Sequence, residues 1–94
     1  MKLKMFAIYD VKADCYLTPF FFPANGQALR AFGDLANDSN SIIGRHPVDY
    51  KLCLVGEFDD SDGEFLPGGC ITLAWAADLV ERSKIVPLGG VANG

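Results

Sequence analysis

The residues able to do chemistry are few, and their spacing is informative. His46 is the only histidine, and it stands between Arg45 and Pro47. Paired with a cysteine, a histidine can activate a nucleophile. No signature around Cys15, Cys53 or Cys70 supports such a pair, and a surface or partner-contact role for His46 is the plainer reading. The three cysteines are an odd count with wide spacing and no C-x-x-C, so neither a disulfide framework nor a zinc site is indicated. All sit in apolar surroundings and read as small buried hydrophobes in a reducing cytosol.

The acidic run Asp59-Asp60-Ser61-Asp62-Gly63-Glu64 invites a calcium reading. An EF-hand loop needs oxygen ligands at positions 1, 3 and 5, Gly at 6 and Glu at 12. With Gly63 at position 6, Asp60 and Asp62 fall correctly, but Phe58 takes position 1 and Gly69 position 12. The motif fails, and the run reads as a solvated turn. There is no Walker A motif and no G-x-G-x-x-G; Gly68-Gly69 lacks the lysine a phosphate cradle requires. No constellation for acid–base catalysis, no metal and no cofactor is expected, and the chain reads as a non-enzyme.

What remains is binding chemistry. Phe20-Phe21-Phe22 offers rings on which unpaired bases could stack, or alternatively packing for a core or a dimer. Lys2 and Lys4 share a strand parity and Arg45 adjoins His46, so a modest anion-binding patch is one reading and scattered solubilising charge the other. The formal net charge of -4 disfavours nucleic-acid binding by bulk charge and leaves room only for a local patch.

These residues need elements to position them. The chain has 94 residues, 50% of them hydrophobic, which fits one folded domain. The core of so short a chain is modest, and homo-oligomerisation is an expected supplement. Leu3 to Tyr9 reads as a strand and Asp10 to Asp14 as a hairpin connection. Cys15 to Phe22 reads as a second strand, at an edge or bulged because Pro19 lacks an N–H. Asn25 is a good N-cap for a helix reaching about Asn37, with Ala28, Leu29, Phe32, Leu35 and Ala36 on one stripe. Arg30 and Asp34 form an i,i+4 pair on its outer face.

Ser41 to Asp49 reads as a loop anchored by Ile42 and Ile43. The central strand runs from about Tyr50 to Phe58, with Tyr50, Leu52, Leu54 and Phe58 on one face. A turn at Asp59–Gly63 and a short return, Glu64 to Pro67, follow. Gly68-Gly69 breaks the return, and Ile71 to Arg82 reads as a second helix. The fold class is α+β: a small, mainly antiparallel sheet of three to four strands with two helices packed on one face. Residues 1–84 form the domain and 85–94 a flexible C-terminal tail. No signal peptide is visible, and the longest apolar run falls far below the roughly 20 residues that span a bilayer.

Several pieces, taken in order, resemble one family. They are Ile8-Tyr9-Asp10-x-Lys12-Ala13, Pro19-Phe20-Phe21, Gly26-x-Ala28-x-Arg30-x-Phe32-x-Asp34 and Asn37-Asp38, then His46-Pro47-x-Asp49-Tyr50-x-Leu52 and Gly56-x-Phe58-Asp59-Asp60. Their order and spacing across residues 3–65 resemble the small nonstructural, DNA-binding protein of gokushovirus-type microviruses, which are single-stranded DNA phages. The resemblance implies a non-enzymatic replication accessory acting in the switch from double-stranded to single-stranded genome synthesis, in the host bacterial cytoplasm. Its partners would be single-stranded DNA or replication initiation proteins. A protein–protein adaptor that restrains replication without touching DNA is the alternative. For contact with nucleic acid the expected residues are Lys2, Lys4, Phe20, Phe22, Arg30, Arg45, His46 and Lys51.

Overall fold

The computed structural model describes residues 1–81. Strand β1 spans Lys2–Asp10, β2 Cys15–Tyr16 and β3 Phe20–Phe22. Helix α1 covers Asn25–Ala36, and a one-turn helix, α2, covers Ile42–Arg45. A 3-10 turn at Pro47–Asp49 leads into β4, Tyr50–Asp59; β5, Phe65–Trp75, and a last helical turn, α3, Ala76–Leu79, follow. All strand pairings are antiparallel, in the order β2-β1-β4-β5, with β3 also pairing β1. The architecture is α+β, as expected, with five strands and three helices among the described residues, where fewer of each are read from sequence.

β2 and β3 share one edge of β1. Tyr16 pairs with Tyr9 and Phe20 with Phe6, and the stretch between them is held only by Leu17 N–H donating to the Ile8 carbonyl at 2.8 Å. Pro19 lies in that interruption, where its missing donor costs no ladder bond.

The core lies between the sheet and the helices. Phe6, Ile8, Tyr50 and Leu52 meet Ala28, Phe32 and Ala36 of α1, Ile43 of α2 and Ala76 of α3. Phe6, Phe32 and Leu52 have no exposed surface, and full burial of such a side chain stabilises by about 1.5–3 kcal/mol. Asn37 ties the layer together, donating to the Gly33 and Leu79 carbonyls at 2.8 and 2.9 Å and accepting from Glu81 N–H at 2.7 Å.

Several expectations need correction. Ile71 to Trp75 belongs to β5, and the expected second helix shrinks to the turn Ala76–Leu79. β-branched Ile71 and Thr72 favour a strand, and pairing with β4 decides it: Ile71 lies opposite Leu54 and Trp75 opposite Lys51. Gly68-Gly69 does not end the strand; Gly69 takes a φ of +69° within it. Phe58 does not share a face with Tyr50, Leu52 and Leu54. The register shifts between Leu54 and Gly56, so one extra residue of β4 turns Phe58 to the opposite side.

The segment 41–49 is not irregular: the Ser41 hydroxyl caps α2, accepting from Gly44 N–H at 2.9 Å, and Ile43 is buried while Ile42 is exposed. Ala24, not Asn25, is the N-cap of α1, and its N–H donates to the Gln27 side chain at 3.2 Å. Arg30 and Asp34 form no ion pair; an Arg placed N-terminal to its acid is the weaker order. Of the cysteines only Cys53 is buried; Cys15 and Cys70 are exposed. The expected tail at 85–94 lies outside the described residues. No described helix is long and apolar enough to cross a membrane.

Candidate nucleic-acid interface

A sheet has two faces, and the helices cover only one of them. Strand alternation then decides which side chains stand on the other. On the open face β1 places Leu3, Met5, Ala7 and Tyr9, opposite Phe58, Gly56, Cys53 and Lys51 of β4. Tyr16 adds to it beside Tyr9, Phe21 beside Met5, Phe65 beside Phe58 and Trp75 beside Lys51.

The face has two halves. At one end the Lys51 ammonium lies 5.4 Å from the centroid of the Tyr9 ring and 5.5 Å from that of Trp75. Both are within the range of a cation–π attraction. Tyr16 leans on Tyr9 with centroids 4.8 Å apart. At the other end Phe21 packs on Phe58 at 5.9 Å, and the Phe65 ring lies over Gly56. Gly56 serves this seat directly, since a Cβ there would stand 2.9 Å from that ring and 2.7 Å from the Leu66 carbonyl oxygen. Tyr16 and Phe65 are 47% and 45% exposed, so rings on both halves are open to a partner.

Lys51 is the one charged side chain that the described strands place on this face. The phenols add no charge near neutral pH. The Tyr9 hydroxyl donates to the Asp14 carboxylate, which raises its pKa, and Tyr16 is pushed up to about 12 by its hydrogen bond with Cys70 and by burial. Cys53, fully buried, is pushed up to about 11 by that burial and by Cys70. Burial works against ionising Cys70, but the Tyr16 hydroxyl, the Cys53 thiol and Lys51 outweigh it and lower its pKa.

The residues expected at the interface do not converge. Lys51 alone stands on the open face. Phe20 and Phe22 turn inward and pack against the core, Phe20 stacking on Phe6 at 5.9 Å, while Phe21 between them turns outward. Lys2 and Lys4 lie on the helix side of the sheet, opposite Asp59 and Glu57, which offset their charge. Arg30 stands exposed on α1. Arg45 ends α2 and donates to the Asn40 carbonyl at 3.2 Å. His46 is exposed between α2 and the 3-10 turn.

Tyr9, Tyr16 and Trp75 are the residues that sequence reading missed. Tyr9 and Lys51 each share a strand parity with small residues, Ala7 and Cys53, and that pattern was available; Trp75 was hidden by its assignment to a helix. The acidic run forms the β4–β5 turn, with Asp59 accepting from the Ser61 N–H and hydroxyl at 3.0 and 2.6 Å. Those bonds, with the Met1 ammonium nearby, pull Asp59 down to about 2. Among the described residues no three His, Cys, Asp or Glu side chains are grouped to hold a metal.

Comparison with known proteins gives the same placement as the sequence motifs. The family model described as Phage ORF5 protein matches residues 3–78. Protein ORF5 of Chlamydia phage 1 is 36% identical over 90 residues, covering 89% of this chain and 94% of the phage protein. No solved structure matches significantly. The resemblance to the small protein of gokushovirus-type phages therefore holds, and the chain belongs to the Phage ORF5 protein family.

Proposed function

We propose that this phage protein is a non-enzymatic replication accessory that binds single-stranded DNA on the open face of its sheet, in the host cytoplasm, during the switch to single-stranded genome synthesis. One observation carries the reading: Lys51 stands between the Tyr9 and Trp75 rings with Tyr16 beside them, on a face that no described helix covers. Exposed rings accept unpaired bases of any sequence, each stacked base contributing about 1–3 kcal/mol, and a lysine among them takes a phosphate. A duplex, whose bases are already stacked, gains nothing from the rings, so the single strand is preferred.

The family resemblance supplies the biological setting. Trp75 is the sole tryptophan, so its fluorescence reports occupancy of the face without a label. Titration with oligo(dT) at low salt is expected to quench it, and duplex DNA to leave it almost unchanged. Equal quenching by both, or none by either, overturns the reading. The apolar half at Phe21, Phe58 and Phe65 favours a second reading, an adaptor that holds a replication protein and leaves DNA alone. That reading requires no fluorescence response to any oligonucleotide and capture of the initiator protein in its place.

A further inference from the structure

The open face is also complementary to itself. Along β4 a cation, Lys51, stands at one end, and beyond Phe58 at the other end comes the acidic turn, where Asp59 and Asp60 share the Met1 ammonium at 3.4 and 2.8 Å and Asp62 and Glu64 keep the turn net negative. Gly56 lies near the middle, opposite Met5. Turned about a two-fold axis through that point, the face sets each acidic turn against the other copy's Lys51. It also sets bulky Phe58 over small Cys53, Phe65 over Thr72 and Leu3 over Ala7. Strands of nine and ten residues are about 30 Å long at about 3.3 Å per residue, and four strand positions about 4.8 Å apart make the face about 15–20 Å wide. Protruding side chains bring the accessible area of such a footprint to the order of the about 800 Å² per partner of a stable interface.

We propose that two copies of this chain stack open face to open face, strands antiparallel, with Lys51 of each copy meeting the acidic turn of the other. Phe21 and Phe65 lose their exposure in this dimer, which explains why so acidic a protein keeps large apolar rings on a sheet face bearing a single charge. The pairing itself is independent of the DNA reading. Where both hold, they compete for Lys51 and Trp75, so the dimer is the DNA-free form and oligo(dT) converts it to monomers.

Sedimentation equilibrium of the full chain without DNA, with carbodiimide cross-linking of a mixture of ¹⁴N- and ¹⁵N-labelled protein, tests the pairing. The expected result is a dimer at micromolar concentration, weakened at least tenfold by Phe21→Lys, with mixed-isotope cross-links joining Lys51 to Asp60 or Asp62. Circular dichroism confirms that the variant is folded, and the cross-links remain decisive if it is not. A monomer at every concentration overturns the proposal, as it would if residues 82–94 covered the face. So does a dimer without Lys51–acid cross-links, the result expected if β5 edges paired instead. A dimer that oligo(dT) neither binds nor dissolves refutes the DNA reading and leaves the pairing standing.

Discussion

Replacing Lys51 by Gln separates stacking from charge. Among the described strands only one cation stands on the proposed DNA surface, because Lys2 and Lys4 face the helix side, while Arg30 and Arg45 belong to the helices. Each phosphate neutralised on a single strand contributes about -0.7 to the slope of log K against log salt. A protomer using Lys51 alone is therefore expected to show a slope of about -0.7, a shallow dependence for a DNA-binding protein. Loss of one exposed charged contact, about 1 kcal/mol at most, weakens binding about fivefold at low salt. In Lys51→Gln the slope falls towards zero while stacking on Tyr9, Tyr16 and Trp75 persists. Fluorescence anisotropy of labelled oligo(dT), at salt concentrations from low to physiological, measures both quantities. A wild-type slope steeper than about -3, or one that Lys51→Gln leaves unchanged, means that basic residues elsewhere carry the contact and refutes the assignment.

Other outcomes follow from the same geometry. Trp75→Ala removes one stacking ring and is expected to weaken oligo(dT) binding about 5- to 150-fold, whereas Arg30→Ala changes it less than twofold; the anisotropy titration reads both. Gly56→Ala forces a methyl group against the Leu66 carbonyl and the Phe65 ring, so it destabilises by about 1–3 kcal/mol, less up to about 1 kcal/mol gained from a stiffer unfolded chain. Urea unfolding is expected to show a lower midpoint at unchanged slope, and an unchanged midpoint contradicts the packing. Asp59 is held below its ordinary value, so its contribution to the turn is complete above about pH 4 and is lost as pH falls through about 2. The Ser61 amide resonance is expected to titrate with that low midpoint, and a midpoint near 3.8 contradicts the hydrogen bonds seen at the turn.

The parts of the fold legible in the sequence are those set by local chemistry. The stripe from Ala28 to Ala36 is long enough to announce α1, and the turn at Asp59–Gly63 carries its own signal in the Asx bonds of Asp59 and the positive φ of Gly63. Pro19 correctly marks an interrupted edge strand. What the sequence hid depends on pairing at a distance. The extra residue of β4 near Val55 has no local signature, yet it turns Phe58 from the core side to the open side. Leu73, Ala76, Ala77 and Val80 recur as a helix stripe would, but Leu73 is drawn into a strand by the ladder with β4.

The site was correspondingly hard to read. Lys51 is one of eight residues expected to contact nucleic acid; its partners Tyr9 and Trp75 come from β1 and β5, and only the strand order brings them together. Phe20, Phe21 and Phe22 could not be sorted without knowing which parity of β3 faces α1.

In the proposed function the uncovered face of the sheet, and not the helix layer, receives single-stranded DNA. Backbone amide chemical-shift mapping of the ¹⁵N-labelled protein with oligo(dT) tests it most directly. Perturbations are expected at Ala7, Tyr9, Tyr16, Lys51, Cys53 and Trp75, with Arg30, Arg45 and His46 unmoved. Shifts confined to α1 and the 41–49 segment would contradict it.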